Sequence, residues 1–102
     1  MVYVDNTKNE RHGREWSHLV ADSIEELHQF AARHQLPRSW FHATAKYPHY
    51  DVTQWARRLA LNGGAIPIAR RDLILKARAL RDQPLRPKAA GSFLTESLNL
   101  FD

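Results

Sequence analysis

Trp16-Ser17-His18-Leu19-Val20-Ala21, followed at once by Asp22-Ser23-Ile24-Glu25-Glu26-Leu27, is the stretch on which the fold turns. Trp16 to Ala21 reads as a strand bounded by polar residues. Ser23-Ile24-Glu25-Glu26 fits a capping box, in which the Ser23 hydroxyl takes the Glu26 amide and Glu26 reaches back. Acidic residues in that first turn also suit the helix dipole. Beyond it Ile24, Leu27, Phe30 and Ala31 recur at the spacing of one helix face. A strand that runs straight into an amphipathic helix predicts an α/β domain.

Toward the amino end, Val2-Tyr3-Val4 is a β-branched and aromatic first strand, and Thr7 to Glu15 is a polar loop pivoting at Gly13. Toward the carboxyl end the helix stops near His34 to Leu36, because Pro37 disfavours helix at the residue before it. Ser39-Trp40-Phe41-His42 reads as a third strand, and Ala43 to Pro48 as a connection. Asp51 or Thr53 then caps a helix whose Val52, Trp55, Ala56, Leu59 and Ala60 share a face, ending at Asn62-Gly63-Gly64. Ala65 to Ile68 is a short strand, at a sheet edge because Pro67 has no amide to give a ladder. A last helix, from about Arg71 to Arg81, buries Leu73, Ile74, Ala77 and Leu80. The predicted order is β-β-α-β-α-β-α: a single small α/β domain, with about four strands in an at least partly parallel sheet and three helices. Residues 1–81 form this domain, and 82–102 a Pro-containing linker and apolar tail.

The chain has 102 residues, enough for one modest core, and its 43% hydrophobic and 25% charged residues are ordinary for a globular domain. It has no cysteine, which excludes disulfides and thiolate metal sites. No apolar run approaches the ~20 residues that span a bilayer. The opening Met1 to Asn6 shows no basic leader before an apolar stretch, so a cytoplasmic location is expected. The net charge of +4 is uneven: residues 1–51 hold six Lys/Arg against seven Asp/Glu, and residues 52–102 nine against four. That basic second half suits contact with phosphate, on nucleotide or nucleic acid, or else a solvated helix surface.

Tyr3-Val4-Asp5, Gly13, His18, Ala21-Asp22, Glu26-Leu27-His28, Trp40, His49-Tyr50-Asp51, Gly64-Ala65 and Arg70-Arg71 follow one another in an order that resembles a family of small bacterial and phage proteins known as domain of unknown function 4031. The resemblance covers about residues 2–75 and implies one compact domain. It implies no activity.

Candidate chemistry gathers at Asp5, His18, His49 and Asp51. His49 and Asp51 are two residues apart, so on an extended segment both point to one side. Asp5 and His18 approach them if the first two strands are neighbours. Mixed imidazole and carboxylate ligands suit a divalent cation such as Mn²⁺, Fe²⁺ or Zn²⁺, and an imidazole beside a carboxylate is equally a general base. The opposing reading makes Asp22 and Asp51 helix caps and His18 a half-buried strand residue. Arg70 and Arg71 are candidate phosphate contacts. The leading expectation is therefore a phosphate-containing ligand bound at an Asp/His site, with phosphoester or glycosidic hydrolysis the reaction class these groups suit. His28 and His34 read as flanking helix residues, and Trp16, Trp40 and Trp55 mostly as core. The alternative is a non-enzymatic module. Leu98, Leu100 and Phe101 resemble the Leu-x-Leu-Phe part of the peptide that docks on the bacterial DNA sliding clamp, although Ser97 stands where Gln is usual.

Overall fold

A computed structural model describes residues 1–42 and 47–83. The strands are β1 (Val2–Val4), β2 (Asn9–Arg11), β3 (Arg14–Ala21), β4 (Phe41–His42), β5 (His49–Thr53) and β6 (Ile66–Pro67). The helices are α1 (Ile24–Arg33), α2 (Gln54–Asn62) and α3 (Arg70–Arg81). The fold is a small α/β domain, as expected, but its sheet has six strands rather than four.

One extra strand comes from a stretch that reads as a polar loop, the other from one that reads as the start of a helix. The polar segment before Glu15 contains β2, which pairs antiparallel with the start of β3. His12 (φ 54°) and Gly13 (φ 77°) both take positive φ between Arg11 and Arg14, the twist a two-residue hairpin turn requires. His49-Tyr50-Asp51 is likewise strand and not a helix mouth. Thr53 is the cap of α2, its hydroxyl accepting the Ala56 amide at 3.1 Å, so Asp51 is left for other partners. The third strand read over Ser39–His42 is shorter, because Arg38–Trp40 turns as a 3₁₀ helix before β4. Ser23 caps α1 as expected, accepting the Glu26 amide at 3.1 Å, while the Glu26 carboxylate takes the Met1 ammonium instead of reaching back.

The sheet runs β4-β5-β3-β1-β6, and only the β1–β6 pair is parallel among those described. The edge placement of Pro67 holds. Period-two alternation sorts the strands into two faces. Val2, Val4, Leu19, Ala21, Tyr50 and Val52 point to the first, where Leu27, Phe30 and Ala31 of α1 and Ala56 and Ala60 of α2 close the larger core. Tyr3 and Val20 point to the second, where Leu73 and Ala77 of α3 cover them. Trp55, read as core, is 65% exposed on the outer side of α2. Gly64, just past α2, has φ 105°, a conformation open to glycine that lets the chain turn back into β6.

No helix of the described residues is long and apolar enough to cross a membrane. The proposed tail, with Leu98, Leu100 and Phe101, lies outside the described residues.

An Asp/His cluster on the second face of the sheet

The helix α3 covers only part of the second face. On the remainder the same alternation that aims Tyr3 and Val20 at α3 aims Asp5, His18, His49 and Asp51 in the same direction. The register brings them together: His18 of β3 lies directly opposite Asp51 of β5, and the Asp5 amide continues the ladder past β1 by donating to the His18 carbonyl at 3.1 Å. The four candidate residues therefore meet on the face of the sheet. They do not gather at the carboxyl ends of a run of parallel strands, because β3, which carries His18, is antiparallel to both β1 and β5.

Asp5 is fully buried. One carboxylate oxygen accepts the amides of His18 (2.9 Å) and Thr7 (3.3 Å), and the other accepts the Thr7 hydroxyl (2.8 Å) and faces His18 Nδ1 (2.8 Å). Burial pushes its pKa up, but these bonds outweigh burial and hold it below the usual carboxylate value. An ionised carboxylate only accepts, so His18 carries its proton on Nδ1 and turns Nε2 toward Asp51. Arg57 Nε donates to the Asp5 carbonyl at 2.8 Å and ties α2 to this corner.

Asp51 is 4% exposed and is the centre of the group. Its Oδ1 stands 3.0 Å from His49 Nε2 and 4.0 Å from His18 Nε2, while Oδ2 stands 2.6 Å from Arg11 Nη2 and 3.0 Å from His42 Nε2. Burial would raise this carboxyl, yet the bonds from His49 and Arg11 and the nearby His49 and His42 charges drive it far below the ordinary carboxylate range. His49 shows the reciprocal effect. Burial disfavours its charged form, but the bond to Asp51, the Tyr47 carbonyl 2.5 Å from Nδ1 and the charges of Asp51 and Asp5 raise its pKa overall. The rings of His18 and His49 meet edge to face at 5.1 Å, and His42 stacks on His49 at 5.2 Å. Among the described residues, His18, His49 and Asp51 each offer a ligand atom within 4.8 Å of the other two.

Beside the cluster, under α3, lies a cavity of about 290 Å³. His18 and His49 form its polar end, Tyr47, Leu73, Ile74 and Ala77 its apolar wall, and Arg70 lines it from the first turn of α3. Arg71 is exposed and does not line it. Asp22 follows β3, four residues beyond His18, and accepts from the Tyr3 hydroxyl at 3.2 Å, so it lies apart from the group.

Sequence reasoning missed Arg11, His42 and Thr7. Arg11 reaches Asp51 only because β2 folds back on β3, and the signal for that hairpin was His12-Gly13. His42 was visible on a strand, but its pairing with His49 is a register fact that no local pattern carries. His28 proves half-buried, its Nδ1 2.8 Å from the Tyr50 hydroxyl on the first face.

No curated protein and no solved structure matches the chain. One family model does, over residues 2–80, which include every residue of the Asp/His cluster. The chain thus belongs to the family described as Protein of unknown function (DUF4031).

Proposed function

We propose that the protein binds a phosphate-containing ligand of nucleotide size, with its phosphate at Arg70 and its organic part on the apolar wall, and that the Asp/His cluster is the reacting end, hydrolysing a phosphoester. The observation that carries this reading is the continuity of cluster and cavity: His18 and His49 belong to both. A cavity of about 290 Å³ is near the small end of ligand pockets, which suits a mononucleotide better than a long chain. Arg70 stands on the first turn of α3, and the helix start has no side-chain cap, since Ala69 occupies the N-cap. A helix start without a side-chain cap and a guanidinium on the same turn favour an anion. Tyr47, Leu73 and Ile74 offer a face against which a base can pack.

The test is calorimetric titration with a panel of nucleoside mono- and diphosphates, alongside hydrolysis of a chromogenic phosphodiester. Binding that weakens in Arg70→Ala, and turnover that vanishes in His49→Ala while the fold persists, are expected. A wild-type protein that neither binds any of the panel nor turns over the ester overturns the reading.

A further inference from the structure

We propose that His18, His49 and Asp51 bind a divalent transition-metal cation of the zinc, manganese or iron class, held in register by Asp5, the Tyr47 carbonyl, Arg11 and His42. Each of the three ligand residues has one polar atom engaged away from the site and one turned into it. His18 has Nδ1 on Asp5 at 2.8 Å, and Nε2 4.0 Å from Asp51 Oδ1. His49 has Nδ1 on the Tyr47 carbonyl at 2.5 Å, and Nε2 3.0 Å from the same Oδ1. Asp51 has Oδ2 engaged by Arg11 and His42, which leaves Oδ1 facing both imidazoles. Metal-bound histidines are characteristically oriented in this way, the second nitrogen donating to a carboxylate or a backbone carbonyl. Here both kinds of partner occur in one site.

Spacing supports the same conclusion. A tetrahedral ion with bonds of about 2.0–2.1 Å sets its ligand atoms roughly 3.3 Å apart. The three ligand atoms lie within 4.8 Å of one another, so side-chain adjustments of about 1 Å close the set. His18 and Asp51 are cross-strand partners and His49 is one alternation away, so the ligands sit on sheet backbone and not on a loop. Two imidazoles and one carboxylate select a transition ion over Mg²⁺ or Ca²⁺, which take oxygen ligands. Three protein ligands leave a coordination position for water or substrate, the arrangement of reactive sites as opposed to closed structural ones. His18 and His49 also line the cavity, so that position adjoins the proposed ligand space. The inference rests on the phosphoester reading only for what would meet the ion; the ion's own binding needs no phosphate ligand.

The 102-residue chain, stripped with a chelator and returned to phosphate-free buffer, is titrated with Zn²⁺ by calorimetry and with Co²⁺ by visible absorption. One equivalent of each binds, with the intense absorption of a low-coordinate cobalt site. His18→Gln and His49→Gln each weaken binding at least about 100-fold, and Asp5→Asn, which removes a positioning residue, weakens it about 10–100-fold with an altered cobalt spectrum. His34→Gln leaves binding unchanged. Should the variants unfold, imidazole ¹⁵N shifts of the wild type on Zn²⁺ addition answer the question: His18 and His49 move first. No binding by the wild type, binding that survives both His→Gln changes, or shifts confined to other histidines overturns the proposal. Nucleotide titration in chelator is run separately. Metal binding with neither nucleotide binding nor ester turnover overturns the phosphate reading alone, and nucleotide binding without metal binding overturns the metal site alone.

Discussion

Val4, Leu19, Tyr50 and Val52 lie under α1 and α2 on one face of the sheet, none more than 1% exposed, whereas their immediate neighbours in sequence, Asp5, His18, His49 and Asp51, gather on the other face where α3 covers only part of the surface. The strands are the same and the duties differ. On the first face, apolar area removed from water supplies most of the stability, and Val4, Leu19 and Val52 are replaceable by apolar side chains of similar volume. On the second, two buried carboxylates are stable only because every buried oxygen has donors, so identity matters and not volume. One backbone thus carries a core and a site on opposite sides, offset by a single residue.

The largest effect expected separates the faces directly. Leu27→Ala, on the fully covered side, should destabilise the fold by about 2–5 kcal/mol in chemical denaturation, with no specific effect on a ligand at the other face. His49→Gln, half-buried and still able to donate to Asp51, should cost about 1–2 kcal/mol while weakening metal binding at least about 100-fold. Comparable losses of stability in both would mean the cluster is scaffold, and the comparison would fail.

Acid and base should then separate the members of the cluster, measured on metal-free protein. Asp5 and Asp51 have lowered folded-state values, so they stabilise above the unfolded carboxylate pKa of about 3.9, and that contribution is lost as pH falls through the folded values. For Asp51 this is on the order of 1–3 kcal/mol. His49 has the opposite sign. Its raised value stabilises fully below the unfolded histidine pKa of about 6.5 and is lost as pH rises through the folded value. Melting temperature should therefore peak in mildly acidic solution. Asp51→Asn should flatten the acid limb, and His49→Gln the neutral one. A wild-type profile flat from acid to neutral would show that the ion pair does not form in solution.

How much of this was legible follows from which interactions are local. Ser23, the helix face of Leu27, Phe30 and Ala31, and the Pro67 edge are local signals, and the structure bears them out. His49-x-Asp51 was legible as a pair on one side because its spacing is a strand's, even though the segment itself was read as a helix mouth. The hairpin was missed because Lys8 to Glu15 is nearly all polar; with no buried face its strands show no hydrophobic alternation, and only the turn chemistry at His12-Gly13 marks them. Trp55 was misplaced because helical spacing says which residues share a face and leaves open how far the cover extends. Asp51 with Arg11 and His42 is the hardest case, since those contacts depend on strand pairing across 40 residues in one instance and on the β4–β5 register in the other.

The smallest effect sharpens the edge of the site. Arg70 and Arg71 are adjacent, both exposed, and indistinguishable by charge or by local sequence, but successive residues on a helix point about 100° apart. Only Arg70 lines the cavity. Arg70→Ala should weaken binding of a nucleoside monophosphate roughly tenfold, the loss of one charge-assisted hydrogen bond of about 1.5 kcal/mol. Arg71→Ala removes the same charge and should change affinity less than about twofold at physiological salt, where an exposed cation beyond the cavity is largely screened. The pair controls for net charge, so a difference reports geometry. Equal weakening by both, growing as salt is lowered, would mean that the basic surface as a whole attracts phosphate and that the binding partner is a polyanion such as an oligonucleotide spread over α3, not a small ligand seated beside His18 and His49.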